Sequence, residues 1–77
     1  MTHLPVVDFK VMEKLLFHLG FRAVRQKGSH VFYRHPDGRT TTLPSHSRKH
    51  LARPLIREIL REIELTPEQF SELLEKI

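Results

Sequence analysis

An α+β fold follows from three observations on the 77-residue sequence: apolar stripes at helical spacing at both ends, short β-branched runs between them, and Gly/Pro turn signals separating those runs. The expected order is α-β-β-β-α, a three-stranded antiparallel sheet with helices on one face, plus a short C-terminal helix. Residues 1–77 are expected to form a single domain, near the low end of what folds alone. The chain has no cysteine, so neither a disulfide nor a thiolate zinc site staples it. A two-layer apolar core has to carry the stability.

Asp8 predicts an N-cap, its carboxylate accepting from the free amides of a first turn. Phe9, Met12, Leu15, Leu16 and Leu19 then recur at three- and four-residue intervals, the stripe of an amphipathic helix. Gly20 offers a left-handed C-terminal position at no steric cost. From Phe21, "FRAVRQK" has strand character with only partial alternation. "HVFYRH" alternates better: Val31, Tyr33 and His35 point one way, and His30, Phe32 and Arg34 the other. In "HPDGR", Pro36 presets φ, Asp37 bonds locally and Gly38 accepts a positive φ, which makes a turn.

"RTTTL" returns as the third strand and Pro44 ends it, so the meander covers about residues 21 to 43. Its second face is left open. "PSHSRKHLAR" is a loop, and Pro54 fits the first turn of a helix whose stripe is Leu55, Ile56, Ile59, Leu60 and Ile63. Thr66-Pro67-Glu68-Gln69 then predicts a capped start, with Phe70, Leu73, Leu74 and Ile77 as the apolar side of the last helix.

The net charge of +4 is unevenly spread. Residues 22 to 57 hold nine Lys/Arg against Asp37 alone, or +8, whereas residues 58 to 77 hold six Glu against Arg61 and Lys76. Segregation of this kind makes one positive and one negative face. Arginines and histidines interleaved with Phe32 and Tyr33 suit a polyanion, with nucleic acid first and an acidic protein second. No apolar run approaches the roughly 20 residues of a membrane span, and no signal-peptide pattern opens the chain. A soluble, cytoplasmic protein is expected.

Six histidines make a high count. His3 and His18 look terminal and superficial, and His35 is expected to be exposed beside its turn or packed on Tyr33. His46 and His50 stand four apart, but in a loop, and no cysteine or carboxylate cluster completes a metal shell, so no metal is expected. His30 differs through its neighbours. Gly28 lets backbone pass close to a ligand and frees amides for anion contacts, and Ser29 adds a hydroxyl. Arg25, Lys27 and Arg34 raise the local potential, and imidazole is suited to moving protons near neutral pH. Gly-Ser-His is a short motif, and on these residues alone an ordinary strand-end histidine is the better reading of His30.

"RQKGSHVFYRHPDGRTTTLP", followed by His46 and "IREIL", resembles the HicA (YcfA-like) family, mRNA interferase toxins of HicAB toxin–antitoxin systems. The resemblance runs from the first helix to about Ile63 and rests on an ordered set. That set is Gly20-Phe21, Gly28-Ser29-His30, His35-Pro36-Asp37-Gly38, Pro44-x-His46, and then the apolar helix. It implies a double-stranded-RNA-binding-domain-like fold, an endoribonuclease that needs no cofactor, an mRNA substrate and a HicB-like antitoxin partner. His30 falls on the family's catalytic histidine, Gly28 and Ser29 on the lead-in to it, and His46 on the histidine after the strand-ending proline. Where many relatives have glycines after that second histidine this chain has Ser47-Arg48, and Arg53-Pro54-Leu55 replaces a Pro-Gly-Thr helix entry.

Three functions remain distinguishable by experiment. In the first, His30 is general base or acid on RNA, whose 2′-OH is the nucleophile, and Arg25, Lys27 and Arg34 counter developing charge on the phosphate. Arg48, Lys49 and Arg53, with His46, would add RNA contacts from the loop. The second is a non-catalytic double-stranded-RNA-binding-like module that works by shape. In the third, the basic face only meets an acidic protein.

Overall fold

Residues 4–45 and 49–77 are described by the computed structural model of the chain. Helix α1 spans Phe9–His18, and Asp8, in extended backbone, accepts from the Val11 amide at 3.0 Å as its N-cap. Met12, Leu15 and Leu16 form its buried stripe. The helix ends in a Schellman motif. Gly20 lies at φ +100 and donates to the Phe17 carbonyl at 3.1 Å, while Phe21 donates to that of Leu16 at 2.9 Å.

Strands β1 (Arg22–Lys27), β2 (His30–Arg34) and β3 (Thr40–Pro44) form an antiparallel sheet in the order β1-β2-β3, the expected meander. The His35-Pro36-Asp37-Gly38 turn closes with the Gly38 amide on the His35 carbonyl at 2.9 Å and Gly38 at φ +100. Helix α2 (Arg53–Ile63) starts at Ala52, which makes no side-chain cap, and has its proline in the first turn. Helix α3 (Pro67–Lys76) opens on the full capping box between Thr66 and Gln69. At ten residues α3 equals α1, so it is no appendage: its Phe70 is completely buried.

Val31, Tyr33, Thr41 and Leu43 turn the inner face of the sheet toward the helices. Against them pack Leu15 and Leu16 of α1, Ile56, Ile59 and Ile63 of α2, and Phe70 of α3. Burying each aliphatic side chain of that kind contributes about 1.5–3 kcal/mol. Two polar groups cross the layer boundary with partners. The Tyr33 hydroxyl donates to the Glu13 carboxylate on α1, and Thr41 Oγ1 donates to Glu62 Oε1 on α2 at 2.8 Å. Among the described residues, no buried side-chain polar atom lacks a hydrogen bond, as a small core requires.

One of the central cations is structural. Arg39 donates through Nε to Asp37 Oδ2 at 2.8 Å, sets its guanidinium 5.3 Å from the centre of the Phe21 ring, and donates through Nη1 to the Ile63 carbonyl. It thereby fastens the turn to the C-terminal end of α2, where positive charge is favourable. Among the described residues no helix is long and apolar enough to cross a membrane.

Candidate nucleic-acid interface

The outer face of the sheet is assembled by strand register. Residues directly opposite each other in an antiparallel pair share a face. Lys27, His30 and Pro44 therefore make one row, Arg25, Phe32 and Thr42 the next, and Arg22, Arg34 and Thr40 the third. Four cations and an imidazole share this surface with no carboxylate among the three rows. Arg25, Lys27 and Arg34, three of the expected phosphate contacts, are here beside His30, and all four side chains are exposed. Phe32 is half-buried between them, with the Arg25 guanidinium carbon 5.5 Å from its ring centre.

A β-bulge makes this gathering possible. Register shifts between Ala23 and Arg25, so Val24 is the extra residue of β1. Strict alternation would have put Arg22 on the opposite side from Arg25 and Lys27. With the bulge, Arg22 pairs with Arg34 and joins the basic face, while Ala23 pairs with Tyr33 and stays exposed at the sheet edge. This explains the imperfect alternation of "FRAVRQK" and adds Arg22 to the expected contacts.

Gly28 and Ser29 form the two-residue turn between the paired Lys27 and His30. Gly28 is at φ +59 and Ser29 has a negative φ, the pattern of a turn with glycine in its first central position. The glycine is accounted for by the hairpin itself, where close approach to a ligand was the expected reason for it. A Cβ on Gly28 would meet nothing within 4 Å, so the space outside the turn is open. Gln26 Nε2 donates to the Gly28 carbonyl at 3.1 Å, and the Ser29 carbonyl accepts from the Ser45 amide at 2.6 Å and the Ser45 hydroxyl at 2.9 Å. Ser45 thus holds the approach to His30, and its only sequence signal is its place directly after the strand-ending proline.

Of the remaining expected contacts, Lys49 and Arg53 are among the described residues. Arg53 starts α2 and its Nε donates to the Leu4 carbonyl at 3.3 Å, which gives it a structural task away from the sheet rows. Lys49 is exposed in the segment leading to α2. His46 and Arg48 lie outside the described residues.

His35 is a structural histidine. Its ring is half-buried and meets Phe21 edge-on at 5.1 Å between centres, where contact with Tyr33 or exposure was expected. Nδ1 accepts from the Asp37 amide at 3.1 Å, which leaves Nε2 as the protonated nitrogen that donates to the Leu19 carbonyl at 3.1 Å. The neighbouring Asp37 carboxyl is held below its usual range, first by the Arg39 amide and then by the Arg39 guanidinium. His30 and His35, five residues apart, have separate duties: one ring is exposed on the basic face, and the other is locked between helix end and turn.

A family model described as "HicA toxin of bacterial toxin-antitoxin" matches residues 9–65. The matched stretch takes in α1, all three strands, α2 and therefore the entire basic face. No curated protein matches the chain.

Proposed function

The chain belongs to the HicA toxin family of bacterial toxin–antitoxin systems, and from that premise we propose that it is an endoribonuclease that cuts mRNA with His30 as its proton-transfer group. The observation that carries this reading is the position of His30. It is an exposed imidazole at the start of β2, on a sheet face whose charged side chains are all cationic, directly after an open turn.

RNA supplies its own nucleophile, so the protein needs to place a phosphodiester, move a proton and offset charge. In the proposed reaction the 2′-oxygen attacks the adjacent phosphorus as it loses its proton, and the bond to the 5′-oxygen breaks as that oxygen gains one. His30 serves one of these transfers. Lys27 lies across from it in the same row, and Arg25 and Arg34 stand in the next rows to balance negative charge on the phosphoryl oxygens. The products are a 2′,3′-cyclic phosphate end and a 5′-hydroxyl end, and DNA, lacking the 2′-hydroxyl, is not cut.

Toxin–antitoxin membership implies an antitoxin partner. We take it to be a HicB-type protein that covers His30 and sets acidic groups against the basic face, because the His30 ring is exposed and steric cover is enough to silence it. The test is expression without antitoxin. The wild-type chain should arrest growth and degrade RNA, while His30→Ala should fold, bind RNA and do neither. A folded His30→Ala protein that stays fully toxic overturns the assignment. A wild-type chain that binds RNA but leaves it intact favours a non-catalytic module.

A further inference from the structure

Among the described residues Phe32 is the one Phe, Tyr or Trp in the three outer rows of the sheet, and a catalytic reading of His30 gives it no task. The ring is half-buried on that face and stands outside the core cluster, so it is not needed to fill the inner layer. Its neighbours in the row are Arg25 and Thr42, with His30 and Arg34 two positions away along the same strand. Two strand residues span about 6.5–7 Å, within reach of adjacent nucleotides of one strand.

Resting on the ribonuclease reading above, we propose that Phe32 and Arg25 form a base-stacking platform that takes an unpaired nucleobase next to the phosphodiester at His30, making single-stranded RNA the substrate. Charge complementarity identifies the occupant as a polyanion: Arg22, Arg25, Lys27 and Arg34 surround the ring, and the rows carry no acid. The ring then narrows the class. An acidic peptide uses the cations and gains little from a flat π surface, whereas every base has a π face to offer. In a duplex those faces are already occupied by neighbouring bases, and only an unpaired base can lie on Phe32. The Arg25 guanidinium, 5.5 Å from the ring centre on an exposed side chain, is a cover that swings away or itself becomes the second plane of the stack.

The outer face of a three-stranded sheet is also broad and shallow. Val24 and Arg34 flank Arg25 and Phe32 in one open depression, which accepts a splayed strand more readily than a rigid double helix. A base on the platform leaves its sugar and phosphate over the row of Lys27 and His30, so stacking positions the bond to be cut. Phe32 is therefore a positioning and binding residue for the strand, and His30 the group at the reacting atoms.

The chain has no tryptophan, which permits a direct test. Phe32→Trp places an indole on the platform, and a mixed-sequence single-stranded 2′-deoxy oligonucleotide serves as a probe that the proposed chemistry does not cut. Adding it should quench the indole strongly, while the matching duplex quenches little at equal concentration. With the same probe, Phe32→Ala should weaken binding about five- to one-hundred-fold. Phe32→Leu, which keeps apolar bulk but lacks a π face, should lose most of that too. Wild-type affinity in both variants, or stronger quenching by the duplex, overturns the platform. So does an indole quenched by neither polymer, which would leave the face to a protein partner. These readouts do not need catalysis. An inert His30 with a working platform defeats the ribonuclease reading alone, and RNA cleavage that depends on His30 but not on Phe32 defeats the platform alone.

Discussion

Ser45 grips the Ser29 carbonyl twice, with its amide at 2.6 Å and its hydroxyl at 2.9 Å. The bonds tie the end of β3 to the residue before His30 and fix the exit of the first hairpin turn. Ser45→Ala removes the hydroxyl and keeps the amide. We expect a loss of about 1 kcal/mol in urea denaturation, and a fall in RNA cleavage beyond what that loss explains, since the protein stays folded. Unchanged cleavage by a fully folded Ser45→Ala protein would mean that the tether does not position the histidine.

Tyr33 offers a test of the core. Burial first, and the Glu13 carboxylate second, push its phenol far above the ordinary value of 10.0. The folded state therefore binds the proton more tightly than the unfolded state. The associated stability is complete below about pH 10 and is lost as pH rises beyond it. With one tyrosine and no tryptophan in the chain, phenolate absorbance follows Tyr33 alone. Phenolate should appear together with loss of circular dichroism. Ionisation near pH 10 with the fold intact would contradict the buried tie to Glu13.

Backbone conformation at two helix ends predicts opposite responses. Glu64 ends α2 at φ 59, a left-handed conformation disfavoured for a side chain with a Cβ. Glu64→Gly should stabilise the protein by about 1 kcal/mol. Gly20→Ala should destabilise it by more than that: φ is +100, and the new Cβ would stand 3.1 Å from His35 Nε2, a ring already held by two hydrogen bonds. Thermal melting of the two variants decides both.

The proposed phosphate binding by the basic face predicts a salt dependence. Alanine at Arg22 or Arg34, which share a row, should lower the slope of log affinity against log salt by about 0.7 for each phosphate of a single strand that is no longer neutralised. The same substitution at Arg39 should leave that slope unchanged and cost stability, because its guanidinium is spent on Asp37, Phe21 and the end of α2. A slope unmoved by Arg22 and Arg34 would place RNA on another surface.

Local chemistry made much of this legible. Asp8, the Thr66–Gln69 box and the Pro-Asp-Gly turn are short-range signals, and each element they announce is present. The strong alternation of β2 also separated Val31 and Tyr33 from His30, Phe32 and Arg34 correctly. Long-range effects were hidden. The bulge at Val24 depends on how β1 docks against β2, and it decides the side on which Arg22 emerges. His35 and Arg39 find their partners in Leu19 and Ile63, 16 and 24 residues away. Nothing in the local sequence marks these two as structural while Arg25 and Lys27 remain on the surface. Glu64 takes a position usually marked by glycine, so α2 ends without its usual sign.

The bulge in β1 also bears on whether the molecule stays apart from its own copies. β1 is bonded on one side only, and such a strand is a template for another chain's backbone. The extra residue interrupts the regular run of amides and carbonyls along that margin and increases its twist, while Arg22, Arg25 and Lys27 bring like charges to any second copy. One inserted residue thus brings Arg22 into line with the other cations and makes the margin of β1 irregular. Along β1, a toxin chain standing free of its antitoxin thus presents an irregular, positively charged margin to a second copy.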